Sequence, residues 1–184
     1  MKNLILVPLF LLLVIGSSAI VVAQESPSTP PETYEANPAD VSSIDAITAA
    51  VYEVISGPAG EERDWDRFRS LFRPEAKLIP VGIRDGQAGS FPMTPDQYIE
   101  RSGPWLVQNG FFETEINRVT EQYGVIAHHF STYESRRKAD DPEPFARGIN
   151  SFQLMNDGQR WWVVNIFWQG ESEEYPVPGE YLPE

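Results

Sequence analysis

Four strand-like segments crowd the C-terminal half of this chain, and they constrain its fold more than any other feature. Residues 112–121, 125–136, 145–156 and 159–169 are rich in β-branched and aromatic side chains, which favour an extended backbone. Gly124 and the run Asn156-Asp157-Gly158 are typical of tight hairpin turns, and a longer polar loop spans residues 138–144. The pattern predicts four successive antiparallel strands.

Helical periodicity is confined to the residues before that sheet. A first helix is predicted after Ser42 or Ser43, because apolar residues then recur three and four positions apart until Gly57-Pro58. A second, shorter helix is predicted over residues 64–72, where Pro74 follows as a stop signal.

The third helix has the clearest start. Thr94 and Gln97 form a capping box around Pro95, and the helix is predicted to continue to Asn109 with a kink or break at Gly103-Pro104. A short strand over residues 76–81 and a glycine-rich loop precede it. We therefore predict the α+β class, with three N-terminal helices and a mostly antiparallel sheet.

The N-terminus predicts export. Lys2 precedes an apolar run over residues 4–15, and small residues lead to Ala23, so residues 1–23 are expected to be a cleaved signal peptide. The protein would then be periplasmic or extracellular, with no membrane contact after cleavage. The alternative is an uncleaved N-terminal membrane anchor, because residues 4–23 are about long enough to span a bilayer.

Composition divides the rest of the chain. Residues 24–41 are rich in Pro, Ser, Thr and Glu and are predicted to be a flexible linker, residues 42–171 form the folded domain, and residues 172–184 are an acidic, Pro-containing tail. There is no cysteine, which excludes disulfides and a thiol nucleophile.

Charge and motifs exclude several functions. The net charge of -13 disfavours a nucleic-acid partner, since an acidic surface repels phosphates. No phosphate-binding loop, dinucleotide fingerprint, nucleophile elbow or zinc signature is found, so we predict neither a metal site nor a cofactor.

The last strand is apolar on both faces. Side chains alternate between the two faces of a strand. Strict alternation therefore puts four apolar side chains on one face, Trp162, Val164, Ile166 and Trp168. It puts three on the other face, Trp161, Val163 and Phe167. A strand of this kind needs cover on both sides, so we predict a homodimer through the outer sheet face.

Three short runs resemble the nuclear transport factor 2-like (SnoaL-like) superfamily. They are Trp65-Asp66-Arg67-Phe68 at a helix start, Leu71-Phe72-Arg73-Pro74-Glu75-Ala76 before the first strand, and Arg160-Trp161-Trp162-Val163-Val164 in the last. The run Phe145-Ala146-Arg147-Gly148-Ile149-Asn150 resembles an exported, functionally uncharacterised subgroup. The resemblance implies a cystatin-like half-barrel with a pocket between sheet and helices, and usually a homodimer.

The superfamily hosts many activities, so the resemblance alone does not assign one. Laid on this chain, the general base of its steroid isomerase falls at Ile79 or Pro80, neither of which can transfer a proton. The two hydrogen-bond donors of that site correspond to Tyr52 and a position near Asn150. Isomerase chemistry of that type is therefore not expected.

His128 shares a strand face with the apolar Ile126 and Phe130, so we expect it to face the pocket. It is the candidate catalytic residue, because histidine is the side chain typically used as an acid or base near neutral pH. His129 must point the other way, so the pair cannot bind one metal ion. The alternative for His128 is a core or dimer-face histidine.

The ligand-contact candidates are aromatic and amide side chains expected on inward-facing positions. For each of them a purely structural role in the core is the alternative. They are Tyr52, Trp65, Trp105, Asn150, Asn165 and Trp168.

Three functions remain open on the sequence. The first is an exported domain that binds a small apolar molecule in the half-barrel. The second is a cofactor-independent acid–base enzyme, an isomerase, cyclase or dehydratase, in which His128 acts with Tyr52 and Asn150. The third is a dimeric docking module without a cavity.

Overall fold

One face of a six-stranded curved sheet is covered by three helices in the computed structural model, which describes residues 34–184. The predicted signal peptide and most of the predicted linker lie outside these residues. The helices are α1 (Ile44–Ile55), α2 (Trp65–Leu71) and α3 (Pro95–Asn109). The strands are β1 (Phe72–Arg84), β2 (Gln87–Ser90), β3 (Phe112–Tyr123), β4 (Ile126–Arg136), β5 (Ala146–Asn156) and β6 (Trp161–Gly170).

The sheet is mixed. Its strand order is β2-β1-β6-β5-β4-β3, in which every neighbouring pair is antiparallel except β1 and β6, which run parallel. The first strand therefore lies beside the last, and the meander of β3 to β6 extends from it. This arrangement confirms the predicted α+β class and the mostly antiparallel sheet.

Both predicted helix caps are present. The Ser43 side chain accepts a hydrogen bond from the Ala46 amide at the start of α1, and Thr94 and Gln97 form the reciprocal capping box of α3. Helix α3 continues through Pro104, so the predicted break is absent. The adjacent Gly103 lets Trp65 of α2 pack closely, because a Cβ there would lie 3.1 Å from the Trp65 ring.

The glycine-rich segment before α3 is a hairpin rather than the predicted loop. Strand β1 continues to Arg84, and β2 returns beside it, with Val81 paired to Ser90. The two turn residues, Asp85 and Gly86, have φ of 54° and 74°, the left-handed conformation that a two-residue hairpin turn requires. The dipeptide Asp-Gly is the sequence signal for this turn.

A bulge in β6 changes which side chains face the helices. Leu154 pairs with Val163 and Gln153 pairs with Asn165, so Val164 is an extra residue that interrupts the alternation. The inner face consequently carries Trp161, Val163, Ile166 and Trp168, whereas Phe167 lies on the outer face. The predicted strict alternation, which places Trp161 and Val163 on the same face as Phe167, is therefore wrong.

The two ends of the described chain pack on the domain. Pro38–Val41 forms a 3-10 turn in which Val41 is buried and Asp40 accepts two hydrogen bonds from Arg67, at 2.7 and 3.0 Å. The last four residues of the predicted linker are thus part of the fold. At the other end, the acidic tail crosses the outer sheet face, where Thr132 donates to the Tyr181 carbonyl at 2.7 Å.

Arg63 ties together the loops at one end of the helical layer. Its buried guanidinium donates to the backbone carbonyls of Ile55, Gly57 and Leu106 at 3.1, 2.6 and 3.2 Å, and also to those of Pro58 and Glu61. No carboxylate among the described residues forms a salt bridge with it. The Arg63 side chain therefore caps carbonyls in the last turns of α1 and α3 and in the loop that follows α1.

Candidate functional site

A cavity of about 230 Å³ lies between the helices and the inner face of the sheet. Helix α1 contributes Val51 and Ile55 to its wall, and Leu78 comes from β1. Most of the remaining wall is aromatic, with rings from all layers of the fold: Phe68, Tyr98, Phe111, Phe145, Phe152 and Trp168. The cavity is therefore suited to the hydrocarbon part of a small molecule.

One end of this apolar cavity is polar. The Glu113 carboxylate accepts a hydrogen bond from the Ser135 hydroxyl at 2.9 Å and another from the Asn150 amide at 3.3 Å. Glu113 and Ser135 are directly paired across β3 and β4. The Glu113 amide also donates to Ser56 Oγ at 3.0 Å, just beyond the end of α1. Strand pairing and a helix terminus thus hold the carboxyl group in place.

Burial sets the acidity of Glu113. Desolvation raises the pKa of this carboxyl from 4.5 to about 7, although the hydrogen bonds from Ser135 and Asn150 act in the opposite direction. A carboxyl group with such a pKa is able to accept and return a proton near neutral pH. The cavity therefore contains one group with the acidity that general acid–base chemistry requires.

A second hydrogen-bond series lies behind Asn150. Its Nδ2 also donates to the Tyr52 hydroxyl at 3.1 Å, the Tyr52 and Ser131 hydroxyls lie 2.6 Å apart, and Ser131 donates to Glu115. Burial, followed by the negative charge of Glu113, raises the pKa of Tyr52 well above its usual range. Tyr52 consequently stays protonated and keeps its hydrogen-bonding role over the physiological pH range.

The series reaches solvent at the far side of α1. Glu115 accepts from Arg118 Nε at 2.9 Å, and Arg118 forms an ion pair of 2.8 Å with the exposed Asp45. A shallow depression of about 400 Å³ lies over these side chains and over Tyr52. Buried polar groups from the cavity are thus connected to the surface by side-chain hydrogen bonds.

The structure brings together two of the predicted site residues, Tyr52 and Asn150. Asn150 lines the cavity and Tyr52 stands directly behind it. Strand pairing explains the position of Asn150, because it lies between Ser131 of β4 and Trp168 of β6 in one row across the sheet. Trp168, also predicted, lines the same cavity.

His128 lies elsewhere. Its side chain is on the outer face of β4, half exposed, with Nε2 3.1 Å from the Glu121 carboxylate on β3. The prediction that His128 faces the pocket is therefore wrong. Its apolar same-face neighbours, Ile126 and Phe130, are exposed outer-face residues, so their hydrophobicity did not mark the interior.

His129 is the inward-facing histidine. It is fully buried against α1, with its Nε2 3.4 Å from the Thr48 hydroxyl and its ring 4.7 Å from that of Phe152. Burial, followed by the positive charge of Arg118, lowers the pKa of His129 to about 3. A histidine with that pKa is neutral at physiological pH and acts as part of the core.

Three other predicted ligand contacts do not line the cavity. Trp65 packs in the helical layer against Phe68, with ring centroids 5.9 Å apart. Trp105 is exposed near the cavity rim, where the Arg137 guanidinium lies 4.3 Å from its ring centroid. Asn165 pairs with the exposed Gln153 and so belongs to the outer face, a consequence of the bulge at Val164.

The acidic residue of the site, Glu113, was not predicted. The sequence signal that could have identified Glu113 is its spacing from Glu115, because residues two apart in a strand point to the same face. The two carboxylates lie on the same strand face as Phe111, which lines the cavity. They indicate a buried polar cluster only if this face is already known to face the helices. The alternation of β3 alone does not distinguish the two faces.

Within residues 34–184, no group of three or more His, Cys, Asp or Glu side chains is placed to hold a metal ion. In the same part of the chain, none of the helices combines the length and apolar character needed to cross a membrane.

No protein-family model matches this chain, and no curated protein is significantly similar to it. Solved structures with the same fold do exist. A protein of unknown function with a cystatin-like fold from Nostoc punctiforme has a TM-score of 0.53 at 10% identity, covering 71% of this chain and 90% of that one. An uncharacterized protein with a cystatin-like fold from Caulobacter vibrioides has a TM-score of 0.52 at 13% identity, covering 72% and 90%.

A third similar structure is that of LinA, with a TM-score of 0.54 at 10% identity, covering 78% of this chain and 92% of that one. At such low identity the likeness defines the fold alone. The chain has the cystatin-like fold that the resemblance to the nuclear transport factor 2-like superfamily implies. Membership of the exported subgroup stays a prediction.

Proposed function

We propose that this is an exported domain that binds a small, largely apolar molecule in the cavity between its helices and sheet. The observation that carries the proposal is the distribution of chemistry in that cavity. Its walls are aromatic and aliphatic, and its polar groups are gathered at one end around Glu113, Ser135 and Asn150. Sites for small molecules combine apolar walls with a few placed polar groups in this way.

A cavity-filling variant tests the proposal. Ala146 lines the cavity, whereas Ala88 lies exposed on the β2 hairpin. Ala146→Trp should fill the space, and Ala88→Trp is the matched control. We expect 2-phenylethanol to bind the wild type and Ala88→Trp in isothermal titration calorimetry, and to bind Ala146→Trp at least about tenfold more weakly. Equal binding to all three proteins, or binding to none, would contradict the proposal.

A second function, cofactor-independent acid–base catalysis, is supported by the acidity of Glu113. In this form Glu113 takes the place that the sequence predicted for His128, and Asn150 lies beside it in the cavity wall. The expected chemistry is proton abstraction beside a carbonyl group. Proton–deuterium exchange of 2-indanone, followed by NMR, should be accelerated by the wild type and fall about a hundredfold in Glu113→Gln. Exchange at the buffer rate would exclude this function.

The proposed assembly is a homodimer through the outer sheet face. Four apolar residues remain exposed there, Val119, Ile126, Phe130 and Phe167. The acidic tail covers part of the surface, since the Tyr181 ring lies 5.5 Å from that of Phe130. Sedimentation of residues 24–184 at micromolar concentration should give twice the monomer mass, and a monomer would refute this proposal. The cavity supports the binding proposal over a docking module with a filled core.

A further inference from the structure

The Glu113 carboxylate has only neutral partners. Ser135 and Asn150 donate to its two oxygens, and none of the salt bridges formed by residues 34–184 involves Glu113. Removing a carboxylate from water without a cation is unfavourable, because neutral hydrogen bonds replace only part of its hydration. The domain thus holds an anionic group in a cavity wall and supplies no positive charge to balance it.

The surrounding rings favour a cation at this position. Tyr98 of α3 and Tyr133 of β4 are close enough to Glu113 for its charge to raise their pKa values further above the range that burial gives them. Phe111, Phe145 and Trp168 complete the aromatic wall. The faces of aromatic rings attract ammonium groups, most strongly where water is excluded.

The cavity disfavours a negatively charged ligand. Besides Glu113, the adjacent carboxylate of Glu115 lies behind Asn150 and Tyr52, and the whole chain has a net charge of -13. The Arg137 guanidinium at the rim is held against the rings of Trp105 and Phe145, at 4.3 and 4.2 Å, and is no partner of Glu113. The volume of about 230 Å³ limits the ligand to less than drug size, since pockets for drug-sized molecules measure roughly 300–1,000 Å³.

From these observations we propose that the cavity takes a small apolar primary amine, whose ammonium group binds the Glu113 carboxylate and whose hydrocarbon packs among the aromatic rings. This inference rests on the proposed binding function and names its ligand class. The amine supplies the charge that the domain lacks, while Ser135 and Asn150 keep the carboxylate oriented toward it.

Binding of such an amine depends on pH. Tyr52 of α1, Tyr98 of α3 and Tyr133 of β4 are the titratable side chains that face Glu113, and the pKa of each is raised by burial, so all three remain neutral. Glu113, with a pKa of about 7, must lose its proton to form the ion pair. Amine affinity should therefore fall as the pH is lowered from 8 to 5.5, and binding at pH 7 should release a proton from the carboxyl group.

Calorimetry with a matched pair of probes, 2-phenylethylamine and 2-phenylethanol, tests the inference. At pH 8 the amine should bind the wild type at least about tenfold more tightly than the alcohol. Glu113→Gln should abolish this preference while it retains the alcohol. Amine binding to the wild type at pH 7 should also release protons, which calorimetry in two buffers of different ionisation enthalpy measures. This measurement needs no variant, so it tests the inference even if Glu113→Gln does not fold.

The outcomes separate the two proposals. If the alcohol binds as tightly as the amine, or if the preference survives in Glu113→Gln, the amine inference is overturned and the binding function stands. If amine binding is independent of pH and releases no proton, the inference is likewise overturned. If neither probe binds the wild type at millimolar concentration, both the inference and the proposed function fail.

Discussion

Asn150 and Tyr52 are 98 residues apart in the sequence, yet the Asn150 Nδ2 atom donates a hydrogen bond to the Tyr52 hydroxyl at 3.1 Å. The same amide group donates to the cavity carboxylate of Glu113. Asn150 therefore links the first helix to the wall of the cavity, and the hydroxyl of Tyr52 determines how the amide is oriented.

Removal of that hydroxyl should destabilise the fold. In Tyr52→Phe the buried Asn150 and Ser131 side chains each lose a partner, so we expect the free energy of unfolding to fall by about 1–3 kcal/mol. Urea denaturation measures the change. Tyr123→Phe is the control, because Tyr123 is 85% exposed, and it should stay within about 0.5 kcal/mol of the wild type. Equal losses in both variants would contradict this role of Tyr52.

Glu113 should make the domain less stable as the pH rises. Its pKa is raised in the folded state, from 4.5 to about 7, so its protonated form is favoured by folding. The associated stability is complete below pH 4.5 and is lost as the pH rises through 7, a loss of about 3 kcal/mol. The unfolding free energy of the wild type minus that of Glu113→Gln should therefore become more negative from pH 4.5 to pH 8. A difference that does not vary with pH would show that Glu113 is not buried as described.

His129 should have the opposite effect in acid. Its folded pKa of about 3 lies below the usual 6.5, so the stability that depends on a neutral ring is lost as the pH falls below 6.5. Between pH 7 and pH 4.5 the wild type should lose about 2–3 kcal/mol more than His129→Phe. His128→Phe, on the outer face, is the matched control and should not reduce the acid sensitivity. An NMR titration of the His129 ring with a midpoint near 6.5 would contradict the prediction.

Arg63 should be among the most sensitive side chains. Arg63→Gln removes a buried guanidinium that satisfies five backbone carbonyls, and we expect a loss of about 3 kcal/mol or more in unfolding free energy. Arg73→Gln removes an ion pair with the exposed Glu75 and a cation–π contact with Trp162 at 5.7 Å, and it should change stability by less than about 1 kcal/mol. Chemical denaturation of the two variants compares them directly. A loss for Arg63→Gln as small as that for Arg73→Gln would count against the capping role.

Gly148 should not tolerate a side chain. A Cβ there would meet the Gln169 carbonyl oxygen and would lie 2.6 Å from the Tyr133 hydroxyl. Gly148→Ala should therefore cost about 1–3 kcal/mol and displace Tyr133 from the cavity wall. Gly89→Ala, where nothing lies within 4 Å, is the control. Thermal denaturation of both variants tests the contrast, and equal melting temperatures would refute it.

Local signals in the sequence predicted much of the fold. Caps such as Ser43 and the Thr94–Gln97 pair act over one helical turn, so their residue types alone locate the helix starts. The strands of the meander followed from β-branched and aromatic composition in the same way. These features depend on neighbours in sequence, which is why they were recognisable.

The candidate site depended on information that is not local. Alternation in β4 separates His128 from His129 but does not say which of them faces the helices, and both sheet faces carry apolar residues. The extra residue Val164 shifts the alternation of β6 by one position, so that Asn165 points to the outer face. Glutamate is a residue type expected at a solvent-exposed strand position, and Glu113 becomes an interior group only because α1 packs against β3.

The parallel pairing of β1 with β6 has a kinetic consequence. Strand β6 joins the β1–β2 hairpin to the rest of the sheet, for example through the pairing of Phe72 with Val163. Of the six strands of the sheet, β6 is the last to be synthesised. Until β6 leaves the ribosome, β1 and β5 each expose an unpaired edge, and such edges invite association with other chains. Completion of this sheet is thus a late event, and we expect the nascent chain to depend on rapid release of its last strand.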